Sequence, residues 1–469
     1  MTRRLPLTIK HIMFNLRGGF LVRPLCIALA LGLCGGLLSW MEEAYPGMSL
    51  WVPVFLFPSK SDPQVAQVIL SNVATSIMTV VSIVFAILLM SLTLASMQFS
   101  PRIIVSFSRD KVTQWTLGLF LGTFSYCIAA LPAARSVPYA FAPVLTVCGA
   151  MLLAVACVVG LLFFIHHISR AISVNYIVDR IASETELAID ELMPEPFDEQ
   201  LWPIGASMAQ KTAVNTPVHS GVAGYICFVD TARMVRLAKH HQIKVTVLKR
   251  VGQFVAAGIP LILVSREERL TPGVRTALLA TFDIGPVRTL QQDVEFGTLQ
   301  LVDIALKAIS PAVNDPTTAI SCVDQLSRIV GRFATRKPPQ VHFYDPPGVI
   351  RVSIPWLDFE ALLESAFDQI RVYARADLAV SLRLLRALID IATVAAHHSV
   401  HRPLLELGHR IIASCADHQD ARSMDRLVKS VIVPLIQMWL WLIPMEQSRC
   451  ILLAQLQSPL TIRGSPPKL

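Results

Sequence analysis

Seven hydroxyl and amide side chains within one apolar run are the first chemistry this sequence offers. Read as a helix at about 100° per residue, the run places Ser71, Asn72, Thr75, Ser76, Thr79, Ser82 and Thr93 on one side. Val73, Ile77, Val80, Val81, Val84 and Leu88 fall on the other. Lipid cannot satisfy an amide and several hydroxyls, so the polar side must meet other helices or water. Such groups can replace hydration around a passing ion without fixed charge. They can equally bond across a helix–helix seam, where Ser, Thr and Ala let backbones approach. Both readings are open, and Asn72, Thr75, Ser76, Thr79 and Ser82 are the pore or helix-interface candidates.

A second polar group lies at Gly285–Gly297, where Arg288, Gln291, Gln292, Asp293 and Glu295 crowd before an apolar helix. Arg288 and Asp293 suit a salt bridge and Gln291 suits a helix cap. The same residues suit an anion or a small ligand. In SPAVNDPTTA (Ser310–Ala319), Asp315 is a good N-cap and Pro316 fits the first helical position, whereas Asn314 has no such local reason. Arg288, Gln291, Asp293, Asn314 and Asp315 are therefore the ligand-binding candidates, expected to form one pocket. No catalytic residue is assigned, because no nucleophile accompanies them and no G-x-S-x-G, P-loop or Rossmann fingerprint occurs in a strand-to-helix setting. His397 and His401 have helical spacing but no glutamate between them, and Pro403 follows. The nine cysteines form no C-x-x-C pair and read as reduced structural thiols. The expectation is no enzyme, no metal and no cofactor.

The elements that position these groups begin with four apolar runs, at about 23–40, 66–97, 115–131 and 139–165. At 469 residues, 53% hydrophobic and 16% charged, the chain is too apolar for an ordinary soluble protein. The second run, about 32 residues, would extend about 48 Å as a helix, beyond the roughly 20 residues a bilayer needs. No run carries an internal Asp, Glu, Lys or Arg within these limits, which argues against a proton-coupled pump. Arg3, Arg4, Lys10, Arg17 and Arg23 precede the first run, and Arg102, Arg109 and Lys111 follow the second. Arg170 and Arg180 follow the fourth, whereas Glu42, Glu43 and Asp62 face only Lys60 after the first. This places both ends of a four-span domain, residues 1–168, in the cytoplasm. MQFSPR (Met97–Arg102) ends the long helix, either as a membrane anchor or as a hinge. The net charge of +8 sits largely beside the spans, where it meets anionic lipid, and no nucleic-acid-binding pattern appears.

Beyond the spans, His166–Pro194 reads as one amphipathic helix leaving the membrane, and 169–211 as juxtamembrane helix and linker. The alternation around Gly221, Gly224, Gly252 and Gly258 predicts a small β-barrel or sandwich-like module at 212–264. Its second half is similar to the closing strands of barrel-sandwich hybrid domains, without their lysine-bearing hairpin. Asp230–Gln242 reads as a helix between the strand groups. Residues 274–425 read as mainly helical, with a short strand region at VHFYDPPGVIRVSIP and helices at Asp358–Val372 and Leu378–Ala396. Arg371, Arg375, Arg383 and Arg386 read as a solvated face or a subunit contact. The stretch at 426–469 is an atypical apolar tail, with Pro434 and Pro444 against a regular fifth span.

GPVRTLQQDVEFGTLQLVDIALKAISPAVNDPTTAI (Gly285–Ile320) resembles the bacterial membrane-protein family called domain of unknown function 2254, as does MSLTLASMQFSPRIIVSFSRDKVTQWTLGLFLGTFSYC (Met90–Cys127). The resemblance covers roughly residues 10–400. It implies a multi-pass protein of the cytoplasmic membrane with a cytoplasmic domain, and no established activity. The fold expected is thus a polytopic α-helical membrane protein with an α+β cytoplasmic domain. An oligomeric channel or small-solute conduit, gated by that domain and assembled from copies of the chain among membrane lipids, is the functional expectation. A membrane-tethered ligand sensor or scaffold, taking a small ligand on the cytoplasmic side, is the alternative, and a membrane-bound enzyme is weaker.

Overall fold

The computed structural model describes residues 22–45, 47, 62–98, 110–136, 140–171, 173–194, 215–345, 348–395 and 398–416. Ser100–Arg102, the 195–211 linker, His397, the first four basic residues and the apolar tail lie outside them. The chain divides into two compact units, Met1–Ile177 and Val178–Leu469.

The first unit holds helices α1 (Val22–Ala44), α2 (Pro63–Gln98), α3 (Lys111–Ala130) and α4 (Val144–Ala171). All four are long and apolar enough to cross a membrane. Glycines set the close approach of α1 to α3. A Cβ on Gly122 would lie 2.4 Å from Leu31 Cδ1, and one on Gly35 would lie 2.6 Å from the Tyr126 carbonyl oxygen. Ala66, Leu70 and Ala74 of α2 pack with Tyr126, Ala130, Val144 and Val147 at one end of the bundle. Ile77, Val81 and Val84 pack with Leu117, Phe120, Cys157, Phe164 and Ile168 at the other. The α2 residues that pack are therefore those on the apolar side of the sequence pattern.

Two sequence expectations change here. The first span continues past Trp40 to Ala44 and takes Glu42 and Glu43 into its last turn, so carboxylates do belong to a span. Glu42 is buried and accepts from the Leu145 and Thr146 backbone N–H groups at 2.8 and 3.1 Å, and from the Thr146 hydroxyl at 3.1 Å. It caps α4 from a neighbouring helix, where the unpaired amides and positive dipole end favour a carboxylate. The predicted single helix over His166–Pro194 is also two helices: α4 ends at Ala171 and α5 spans Val174–Leu192. The Ser173 N–H turns back to Arg170 O at 3.0 Å, and the Ser173 carbonyl accepts the first bond of α5 from Ile177. Ser173 thus occupies an N-cap position, a preferred place for serine.

The second unit carries two open sheets around one core. The strands are β1 (Asn215–His219), β2 (Gly224–Val229), β3 (Val245–Val247), β4 (Phe254–Val255), β5 (Pro260–Ser265), β6 (Phe282–Gly285), β7 (His342–Asp345) and β8 (Val349–Ser353). One sheet has the order β1-β5-β3-β8-β7 and the other β4-β2-β6. The helix α6 (Thr231–His240), capped by Asp230, buries Met234 in the shared core, and α7 (Pro272–Leu279) adds Leu278. No closed barrel forms among the described residues, which corrects the barrel expectation. The edge of β3 that would close one is taken by β8, in parallel, with Val245 opposite Val352. The sheet therefore draws on residues some hundred positions downstream, a pairing that local alternation cannot announce. Likewise β6 appears within a stretch that reads as helical.

Among the described residues this unit has five further helices: α8 (Val294–Ala308), α9 (Pro316–Ala334), α10 (Phe359–Tyr373), α11 (Leu378–Val394) and α12 (His401–Ala416). Arg328 and Arg332 of α9 and Arg336 just beyond it form ion pairs with Asp179, Glu186 and Asp190 of α5. Hydrogen bonds from Arg332, then its charge and that of Arg336, hold the Asp190 carboxyl below its ordinary range. Of the predicted arginine face, Arg371 is tied to Asp368 and Ser414, and Arg383 to Asp324, within the chain.

Candidate functional site

Most of the polar side of α2 is turned away from the described helices of its own bundle, while Ser71 and Thr75 border a cavity of about 240 Å³ shared with Phe124, Cys127 and Ile128 of α3. Ser71, Asn72, Thr75, Ser76, Thr79, Ser82 and Thr93 are all exposed, while Leu70, Ala74, Ile77, Val81 and Val84 are buried. Among the described residues, the helices of this bundle leave Asn72, Ser76, Thr79 and Ser82 uncovered. The outward faces of the neighbours are different in kind. On α4 the exposed residues include Leu152, Val155, Val159, Leu162 and Phe163, and on α1 Leu25, Leu29, Leu33 and Leu37. Those faces match hydrocarbon; the α2 face from Ser71 to Ser82 does not.

The hydroxyls on this face have a fixed habit. Thr75 donates to Ser71 O at 2.9 Å, Thr79 to Thr75 O at 3.1 Å, Ser82 to Met78 O at 3.0 Å and Thr93 to Leu89 O at 2.8 Å. This bonding to the preceding turn consumes the hydroxyl proton and leaves the oxygen lone pairs outward. Among the described residues no hydrogen-bond partner meets the Asn72 amide. A bare amide in lipid costs several kcal/mol by transfer estimates, on the order of 2–7 kcal/mol, so this residue sets the strongest demand for water or a partner.

The second candidate group is closed on itself. Arg288 donates to Asp293 through Nε at 2.7 Å and Nη2 at 2.8 Å, and to Glu295 through Nη2 at 2.9 Å. Arg250 Nη2 donates to Glu295 Oε1 at 2.9 Å, and Ser365 of α10 donates to the same oxygen at 3.1 Å. Two cations thus face two anions. Burial would raise the Glu295 carboxyl, but its bonds to Arg250 and Arg288 outweigh that and hold it below the ordinary glutamate range. Arg288 is half-buried, which alone would weaken its charge, yet the two carboxylates raise its affinity for the proton. Gly252, at φ +88°, brings its backbone against the pair: a Cβ there would lie 2.4 Å from Asp293 Oδ2 and 2.7 Å from Arg288 Nη2. A cavity of about 30 Å³ adjoins, lined in part by Arg250, Gln292, Asp293, Phe333 and Trp356. That is room for a water molecule and not for a metabolite.

The five ligand candidates do not converge. Asp293 caps the N-terminus of α8 through the Phe296 N–H at 3.1 Å, so the cap is Asp293 and not Gln291, which is exposed. Gln292 instead bonds the Val229 N–H at 2.9 Å. Asn314 and Asp315 lie beyond the other end of α8, where the Asp315 N–H meets Ala308 O at 2.8 Å. A 15-residue helix separates the two groups by about 22 Å. Asp315 caps α9, accepting from the Thr318 N–H at 3.1 Å and hydroxyl at 2.6 Å. Asn314 has φ +49°, the left-handed region that asparagine tolerates best among residues with a Cβ, which supplies the local reason the sequence lacked.

Two polar pairings in the first unit escaped the sequence reading. Glu42 at the head of α4 is one. The other joins Asp110, the N-cap of α3, to His167 Nε2 of α4 at 3.0 Å. The signal for the first was the pair of glutamates after an apolar run, which also fits a loop. Among the described residues no three His, Cys, Asp or Glu side chains gather as a metal site.

Comparison with known proteins is consistent with this architecture. The family described as "Predicted membrane protein (DUF2254)" matches residues 17–390. An uncharacterized protein of Mycobacterium bovis is 31% identical over 426 residues, covering 89% of this chain and 80% of the relative. Uncharacterized proteins of two Mycobacterium tuberculosis strains are 31% and 30% identical over the same length. No solved structure matches the chain.

Proposed function

We propose, on the premise that the chain belongs to the DUF2254 family of predicted membrane proteins, that it assembles with copies of itself into a conduit for small solutes lined by α2. One observation carries the reading: Asn72, Ser76, Thr79 and Ser82 of the hydroxyl and amide face of α2 are exposed and are left uncovered by the described helices of its own bundle. In a bilayer that face needs water or protein. Copies meeting around α2 supply both, because a ring of such faces encloses a wet path. From Ser71 to Ser82 the face runs about 16 Å, roughly half the hydrocarbon thickness. The wall carries no fixed charge and offers mainly oxygen lone pairs, a lining suited to cations or to neutral hydrogen-bond donors.

The flanking charges support an orientation with both ends of the four-span unit in the cytoplasm of a bacterial inner membrane, and with the second unit there as the regulatory part. The arginine–carboxylate cluster of that unit is charge-balanced, and the adjoining cavity holds a water at most. It is better suited to fixing the loop before α8 than to capturing a ligand, so the conduit is preferred over a sensor.

Cysteine cross-linking tests the assembly. Thr79→Cys on the polar face should cross-link between copies in native membranes well above the wild-type background. Leu152→Cys, on the lipid-matched face of α4, should not. Equal yields from the two positions would contradict the proposal.

A further inference from the structure

The polar face of α2 does not continue unchanged to the end of the helix. Past Ser82 the same angular sector holds Ile83, Ala86, Leu89 and Met90, before Thr93 returns it to a hydroxyl. Leu89 is 63% exposed and Met90 67% exposed, among the most exposed large side chains of the bundle. Leu88, one position earlier, turns inward instead and packs with the apolar cluster of α3 and α4. The break in the stripe therefore runs from Ile83 to Met90, about two helical turns, with Leu89 and Met90 at its far end about 10 Å beyond Ser82.

We infer that the turn carrying Leu89 and Met90 is the closing point of the conduit. The inference rests on the assembly proposed above. If copies of α2 face a common axis, Ser71 to Ser82 line a stretch that water wets. The Leu89 and Met90 side chains of each copy then meet where no oxygen reaches the axis, and narrow apolar constrictions close by expelling water. The closure needs no charge movement, only a change in the spacing of α2 helices. Leu89 and Met90 are thus occluding residues, and the solutes excluded at rest are hydrated ions and other polar species that must carry water through.

Potassium release from liposomes at high protein density tests the inference with three proteins: wild type, the double variant Leu89→Ser with Met90→Ser, and Leu152→Ser as an outward-facing control on α4. The account predicts that the double variant releases potassium at least severalfold faster than wild type, with Leu152→Ser unchanged. Release by wild type that the double variant does not increase would overturn the closing point while leaving the conduit standing. Release raised equally by Leu152→Ser would overturn it as an effect of any polar residue on an outward face. Silence of all three proteins would overturn the conduit reading, and the closing point with it. Thr79→Cys introduced into each of the three proteins reports by cross-linking that each is assembled.

Discussion

Replacing Gly252 by alanine separates two costs that the second unit combines at one residue. Gly252 and Gly258 both have positive φ, at +88° and +83°. A Cβ at Gly258 would meet nothing within 4 Å, whereas one at Gly252 would lie 2.4 Å from Asp293 Oδ2 and 2.7 Å from Arg288 Nη2. Gly258→Ala therefore carries only the left-handed penalty, about 1–2 kcal/mol. Gly252→Ala adds the displacement of at least one charge-assisted hydrogen bond, about 1.5–3 kcal/mol, for a total of roughly 3–5 kcal/mol. At roughly 2–4 °C per kcal/mol for a domain of this order of size, Gly258→Ala should lower the melting temperature by about 2–8 °C. Gly252→Ala should lower it two to three times as much. The assay is thermal unfolding of the full-length protein in detergent, with both variants measured beside wild type. Equal melting temperatures for the two variants would refute the reasoning, because the ion cluster would then yield without cost and could not be what fixes the loop before α8.

Other outcomes follow from the same geometry. Glu295 is held below its ordinary range in the folded chain, so its contribution to stability is present above the unfolded value of about 4.3 and lost as pH falls through the lower folded value. Acid unfolding of wild type should steepen in that window, and Glu295→Gln should flatten it in melts taken from pH 7 downward. Glu42→Gln keeps one acceptor but removes the charge that caps α4, and should cost about 1–2 kcal/mol in detergent unfolding; no loss would mean that the α4 amides are satisfied otherwise. Thr75→Val with Thr79→Val preserves shape and removes two outward oxygens, so the preference of any conducted current for potassium over chloride should fall. An unchanged preference would exclude those hydroxyls from the wall.

The limits of the sequence reading follow from the range of the interactions concerned. The spans were legible because a bilayer imposes length and hydropathy on contiguous residues, and the sidedness of α2 because helical period needs only local spacing. Which side of α2 packs was also legible, since Ile77, Val81 and Val84 are the residues that pack against Phe120 and Phe164. That Asn72, Ser76, Thr79 and Ser82 would be left bare by the described helices of the bundle was not, because it depends on where those helices sit. Asp315 could be recognised as a cap from its own neighbours, and it caps. The parallel pairing of Val245 with Val352 could not be read from neighbours, nor could Glu42 reaching Leu145 and Thr146 about a hundred residues away. The expected single pocket failed for a related reason: proximity in sequence between Asp293 and Asp315 is undone by the straight helix between them.

The arrangement of α2 in the intact assembly tests the central claim most directly. Images of the detergent-purified full-length protein should show a symmetric ring, with α2 nearest the axis and Thr75 and Thr79 facing the centre. A monomer, or a ring with α4 at its axis and the hydroxyl face of α2 turned to the detergent, would contradict the account.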